Sequence, residues 1–305
     1  MKRKTRSWLR FVLLLLLVGA VYLVMRNFEQ EFVYAPSPFI NKTPRDAGMP
    51  FDNIALVGDD GVNIQGWFVP APPPEEPSAT NMPPVTLLFL HGRAGNMRDA
   101  LEKVHLFHDM GLAVFIIDYH GYGKSGGEPS ERTLTGDALA AYFYLNEQRH
   151  VASDHLYLFG EDLGGAVAID LATKVSAAGL ITEGANASVI EKVEDAWPLI
   201  PWQFLLRSQF DSLTKIGNVH MPILLIHSAE DSVVPINDSR RLFSLANEPK
   251  EFVEIHGSQR DAFFNSFDIY YDKISHFVSG PVKEKPAEGL SSTQTNEAAS
   301  KDPNP

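Results

Sequence analysis

No cysteine occurs in the 305 residues. This excludes disulfides, a thiol nucleophile and thiolate-bound metal at once. Basic charge is scarce beyond the N-terminus. The chain carries 26 Lys and Arg against 38 Asp and Glu, a net charge of −12. Lys2, Arg3, Lys4, Arg6, Arg10 and Arg26 stand in residues 1–26 with no acid among them, so the remainder is more acidic than the total suggests. A body of that sign repels phosphate backbones, and no nucleic-acid partner is expected. No fixed-period repeat is present. No His or Cys ligand spacing accompanies Glu161, Asp162 and Asp231, so neither a metal nor a cofactor is expected. Apolar residues at 44% and charged residues at 21% are those of a globular chain.

Long hydrophobic runs are also lacking, with one exception. Phe11 to Met25 is uncharged and includes five consecutive leucines, Leu13 to Leu17. With Trp8 and Leu9 it just reaches the roughly 17–20 residues that cross a bilayer. Five basic residues precede it, which keeps residues 1–10 in the cytoplasm and sends the rest across. Tyr22, Leu23 and Val24 prolong the run beyond the poor cleavage site that Val18 and Ala20 would form. The reading is therefore an uncleaved signal anchor over 11–26, with a cleaved signal peptide as the alternative. Residues 27–50 are then a stem, 51–279 a folded domain outside the cytoplasm, periplasmic or luminal, and 280–305 a disordered tail. The tail is rich in Pro, Glu, Ser, Lys and Asn and has no aromatic residue, too little apolar surface to offset its ordering entropy.

Within the body, strand and helix signals alternate. Ile54–Val57, an Asp60-Gly61 turn and Ile64–Pro70 read as an antiparallel hairpin. The Pro-rich stretch Ala71–Pro84 reads as a surface loop. Val85–Leu90, Ala113–Asp118, His155–Phe159, Gly179–Thr182, Ile223–His227 and Phe252–His256 are short apolar runs. Helical spacing, as in Asp137–Gln148 and Ala166–Lys174, separates them. Unbroken apolar strands with helices between them predict a doubly wound α/β domain whose mostly parallel sheet is covered on both faces.

Ligands in such sheets bind beyond the carboxyl ends of the strands. The segments there are His91-Gly92-Arg93-Ala94-Gly95-Asn96, Asp118-Tyr119-His120-Gly121-Tyr122-Gly123-Lys124-Ser125, Gly160-Glu161-Asp162-Leu163-Gly164-Gly165, Asp231-Ser232-Val233-Val234-Pro235 and Gly257-Ser258-Gln259-Arg260-Asp261. In this order and register the chain resembles the α/β-hydrolase superfamily, and within it small membrane-anchored serine hydrolases with a short lid. The resemblance implies the α/β-hydrolase fold and a triad of elbow nucleophile, acid and His in chain order. Gly160 and Gly164 flank the elbow, and Gly165 lets its helix close on the sheet. Two of the three triad positions depart from the serine pattern: Asp162 stands at the nucleophile position and Gln259 at the His position, while Asp231 matches the acid. The implied oxyanion donors are the backbone N–H groups of Arg93 and Leu163. Those amides and any Arg93 charge are expected to hold Asp162 ionised; the Arg93 side chain either neutralises Asp162 or Glu161 or has only a surface role.

The leading expectation is thus a membrane-anchored protein of hydrolase descent with a degenerate triad, a pseudoenzyme in a binding or scaffold role. Its ligand would be a small ester, acyl group or carboxylate. Two alternatives compete. Asp162 is the nucleophile in the manner of dehalogenases and epoxide hydrolases, which need a base that Gln259 cannot supply, leaving His256. Otherwise the oxyanion donors alone support weak ester hydrolysis. Ser125 matches Gly-x-Ser-x-Gly as a string but follows the wrong strand, and is read as loop structure. Residues 186–219, with Trp197-Pro198-Leu199-Ile200-Pro201-Trp202 inside them, are read as a lid that packs over the sheet, lines an acyl-sized pocket or touches the membrane.

Overall fold

The computed structural model describes residues 2–73 and 83–280. The tail from 281 and the middle of the Pro-rich loop lie outside those residues. Eight strands form one sheet. They are β1 Asp52–Val57, β2 Asn63–Val69, β3 Thr86–Leu90, β4 Ala113–Asp118, β5 Leu156–Glu161, β6 Gly179–Glu183, β7 Ile223–Ser228 and β8 Lys250–Ile255. Their order across the sheet is β8-β7-β6-β5-β3-β4-β2-β1. β1 and β2 form the antiparallel hairpin, β2 joins β4 antiparallel, and every other pairing is parallel. Each strand read from an apolar run is present.

Burial explains why these runs become strands. Every residue of β3, β4, β6 and β7 is buried, as strands covered on both faces must be. Alternation then divides the side chains between two cores. Leu88 and Leu90 of β3 join Phe115 and Ile117 of β4 on one face, under α3 (Glu131–Phe143) and α4 (Leu163–Ala172). Leu87, Phe89, Val114 and Ile116 face the other way, under α2 (Leu101–Asp109) and the C-terminal helix Phe267–Ser279.

After β3 the chain moves to one neighbour, β4, and then returns past β3 to β5. The direction of progress across the sheet reverses there, and the helices following β3 and β5 lie on opposite faces. A crevice opens at such a reversal, so the loops after β3 and β5 become neighbours.

The N-terminal helix α1 runs over Lys2–Phe32, past the predicted anchor boundary at 26. The predicted stem is not a free linker. Val33 and Tyr34 are buried in the core, Ala35–Pro36 pairs with Ala94–Gly95, and Tyr34 Oη donates to Ser208 Oγ at 2.6 Å. Val33 and Tyr34 are simply apolar enough to be captured by the core that they adjoin.

Candidate active site

β5 delivers Gly160 and Glu161 to the crevice, and α4 begins at Leu163. The one residue between them, Asp162, has φ 51° and ψ −116°, a conformation that costs a side-chain-bearing residue about 1–3 kcal/mol. A turn this sharp leaves no room beside it. A Cβ on Gly160 would collide with Gly164 O, one on Gly164 with the Leu90 and His91 carbonyls, and one on Gly165 with Ala185. The three glycines therefore sit where the elbow requires them. The turn is pinned by Asp162 N–H donating to Glu183 O at 2.9 Å.

The opposing loop is held by residues of the Asp118–Ser125 motif. Asp118 Oδ1 accepts from Met97 N–H at 2.7 Å, Tyr119 Oη donates to His91 O at 3.1 Å, and Tyr122 Oη donates to Arg93 O at 2.8 Å. Ser125 Oγ donates to Asp118 O at 2.6 Å and accepts from Gln65 N–H at 2.9 Å, so its role is structural. The result is an Arg93 N–H aimed at the elbow.

That N–H donates to Asp162 Oδ2 at 3.1 Å. The other oxygen, Oδ1, accepts from Asn186 Nδ2 at 2.8 Å, where the expectation placed the Leu163 amide. Asn186 is itself oriented, since Lys192 Nζ donates to its carbonyl oxygen and sits 3.4 Å from Asp238 Oδ2. Asp162 is only 6% exposed. Burial pushes its carboxyl above the ordinary carboxylate range, against the pull of the Arg93 N–H, the Arg93 charge and Asn186, with neighbouring Glu161 adding to the rise. The expectation of a favoured anion is therefore corrected: two donors do not replace the water removed.

The Arg93 guanidinium takes another partner than the carboxylates expected for it. Nη1 donates to Phe32 O at 2.6 Å, at the C-terminal end of α1, where carbonyls lack helical partners and positive charge is favoured. Glu161 is instead served by Lys103 of α2, whose Nζ lies 2.9 Å from both Glu161 Oε1 and Glu183 Oε1. Tyr270 Oη donates to Glu183 Oε2 at 2.7 Å. Burial raises the Glu183 carboxyl despite Lys103. Burial alone would lower Lys103, but the two carboxylates outweigh it and raise it.

Asp231 lies where the acid was expected, in the loop after β7. Its Oδ1 accepts from Val233 and Val234 N–H at 2.7 and 2.9 Å. Its Oδ2 is 3.8 Å from His227 Nε2. That histidine is enclosed: Nε2 donates to Val234 O at 2.9 Å, Nδ1 accepts from Ser239 Oγ at 2.6 Å, and burial holds it below the usual imidazole range. Gln259 joins Asp231, Glu161, Glu183 and Ser228 around a crevice whose void is about 10 Å³, room for about one water. His256, the alternative base, is largely exposed and pairs with Glu230 Oε1 at 3.1 Å, away from the elbow.

Asn186, Lys192, Lys103 and Glu183 were not legible as site residues. The one usable signal was Lys103, a charge among the apolar positions of α2 that demanded a buried partner. Among the described residues no group of His, Asp and Glu is arranged to hold a metal ion.

Similarity agrees with this architecture. Residues 82–214 match the family model described as serine aminopeptidase, S33. An uncharacterized protein of Mycobacterium tuberculosis is 31% identical over 265 residues, covering 87% of this chain and 92% of that one. Protein bem46 of Schizosaccharomyces pombe is 31% identical over 78% of this chain and 80% of its own. The alpha/beta hydrolase domain-containing protein WAV2 of Arabidopsis thaliana is 28% identical over 85% and 90%. Among solved structures, an esterase of Pyrococcus furiosus superposes with a TM-score of 0.63 at 17% identity, covering 81% of this chain and 97% of its own, a likeness of fold. The chain belongs to the α/β-hydrolase family.

Proposed function

We propose that this protein is a membrane-anchored member of the family in which ester hydrolysis has been given up and the scaffold retained for binding. The observation that carries the reading is the hydrogen bond from Arg93 N–H to Asp162 Oδ2. In a working site that donor stabilises the oxyanion of an acyl intermediate. Here the elbow side chain already takes it up, so a carboxyl oxygen of Asp162 stands in for the oxyanion and a substrate carbonyl has to displace it. Gln259 supplies no base, and His256 is turned toward Glu230. With Asp162, Glu161 and Asp231 at the same strand ends, a neutral ester or acyl group is a better ligand than a carboxylate.

Membrane attachment rests on α1. Within its stretch Phe11–Phe32 the most apolar 18-residue window has a mean hydropathy of 2.2 and is not buried against the rest of the described chain. The basic N-terminal residues keep that end in the cytoplasm and put the domain on the far side.

The test is restoration. Asp162→Ser empties the Arg93 donor and supplies a hydroxyl; Gln259→His supplies a base beside Asp231. The double variant is expected to hydrolyse short p-nitrophenyl esters above background, with the native protein and both single variants inert, because triad members act as a unit. The gain will be modest, since a misplacement of about 1 Å can cost roughly 100-fold. Native turnover that Asp162→Ala abolishes would overturn the reading and make Asp162 a nucleophile.

A further inference from the structure

Between α5 (Val189–Ala196) and α6 (Trp202–Leu205) the lid turns through Trp197-Pro198-Leu199-Ile200-Pro201-Trp202. Trp197 and Ile200 are exposed, and Leu199 is 96% exposed. Three neighbouring apolar side chains presented outward call for a covering surface.

Several backbone donors of this tip are already satisfied within it or by α5. Trp197 N–H donates to Val193 O at 3.0 Å, Ile200 N–H to Trp197 O at 3.2 Å and Trp202 N–H to Ile200 O at 2.8 Å. The Trp202 indole N–H donates to Trp197 O at 3.0 Å. Pro198 and Pro201 have no N–H to satisfy. Pairing of the Trp197, Ile200 and Trp202 N–H groups lowers the cost of moving such a turn out of water.

Its position identifies the cover. The Trp197 ring meets the Phe32 ring edge-on, with centroids 5.9 Å apart, and Phe32 is the last residue of α1. At about 1.5 Å per residue, Phe32 lies only about 10 Å along the helix from Met25, where the apolar run ends. No spacer intervenes: Met25 and Phe32 both pack against the domain core. Arg26 pairs with Glu128, and Gln30 Nε2 donates to Pro129 O at 3.2 Å. The domain therefore sits at the level of the headgroups, with the tip beside the emerging helix.

We propose that Trp197–Trp202 is a second membrane contact, its Trp197, Leu199 and Ile200 side chains seated in the headgroup–acyl boundary of the leaflet from which α1 emerges. This rests on the reading of α1 as an anchor. The contact is apolar. Glu194 and Asp195 at the end of α5 keep that helix in water, limit the depth to the tip, and make zwitterionic lipid a sufficient partner. The same α5 carries Lys192, which orients Asn186 on Asp162. A ligand passing under the lid would thus enter from the bilayer, which favours a lipid acyl chain.

The absence of cysteine makes the test clean. Full-length Leu199→Cys, carrying a nitrobenzoxadiazole fluorophore, is reconstituted in phosphatidylcholine vesicles, with Ile200→Cys as a second tip site. Leu245→Cys is the control, because the helix Ile236–Leu245 runs from β7 back toward the start of β8 and places Leu245 at the opposite end of the sheet. Both tip labels are expected to shift to the blue and to lose most of their emission to doxyl-labelled phosphatidylcholine, with the control unchanged. If the protein floats with the vesicles and the tip labels remain open to aqueous iodide, the inference fails and the anchor stands. A blue shift without quenching by lipid-borne doxyl overturns it in favour of a protein cover. Failure to float removes the anchor and the inference together.

Discussion

Asp162 combines three properties that rarely coincide: a strained backbone, a buried carboxyl and donors on both oxygens. Its folded pKa lies above the unfolded value, which is about 3.9. In that window the folded state holds the proton more tightly than the unfolded state. Its contribution to stability is therefore most favourable in acid and declines as pH rises through the raised folded value. Above that raised value the fold carries the full cost of an enclosed anion. Asp162→Ser keeps the elbow and removes this titration, so its melting temperature relative to the native protein should climb from pH 4 upward and then level, the starting point following from the unfolded value of about 3.9. A difference that is flat across that range would show that the anion is as well solvated inside as in water.

Among elements, the contact that ties α2 to the ends of β5 and β6 is ionic. Lys103 lies between Glu161 and Glu183 with its ammonium 2.9 Å from each. Removing one partner of a buried set leaves an uncompensated charge and costs about 3–5 kcal/mol, whereas replacing the whole set with apolar groups is often neutral. Lys103→Met should therefore destabilise the protein by about that amount at neutral pH. The loss should shrink in acid, because a protonated Glu183 no longer needs the cation, and it already titrates above its usual range for want of solvation. Denaturant titrations at both pH values read this directly; an equal loss at each would mean that Lys103 acts through packing on Phe263, whose ring centroid is 5.1 Å from the ammonium. At Gly160 and Gly164 the nearest obstacles to a Cβ are backbone carbonyls that cannot move aside, and at Gly165 the Cβ of Ala185.

At the scale of the whole molecule, helix and domain are one construction. Arg93 reaches from the loop after β3 to the last carbonyl of α1 at 2.6 Å, and Val33 and Tyr34 carry the chain from the helix straight into the core. On the proposed anchoring, such a joint would hold the strand ends in a set relation to the bilayer, where a long linker would let the domain tumble. The full-length protein should remain in membranes through carbonate extraction and keep its N-terminal mass. Recovery of a soluble form beginning near residue 21 would show instead that the segment is a signal peptide and is removed.

Sequence by itself determined what depends on near neighbours. Apolar runs such as Thr86–Leu90 and Ile223–Ser228 could satisfy their side chains only as strands covered on both faces, and the spacing of Gly160, Gly164 and Gly165 around Asp162 was legible as an elbow because the steric demand is local. The length and apolarity of residues 11–25 were likewise legible, although the helix end was not, since Phe32 is held by Arg93 from 61 residues away. Tertiary structure alone decided the chemistry of the crevice. Asn186 stands 24 residues beyond Asp162 and comes to it only because β6 lies beside β5; Lys103 reaches Glu161 and Glu183 only because α2 crosses their ends. The direction of the Asp162 titration followed the same division. One of its donors, the Arg93 N–H, could be named from a motif position, but Asn186 and the loss of water that outweighs both donors belong to the packed molecule, because desolvation is set by everything that surrounds a group and not by the residues beside it in the chain.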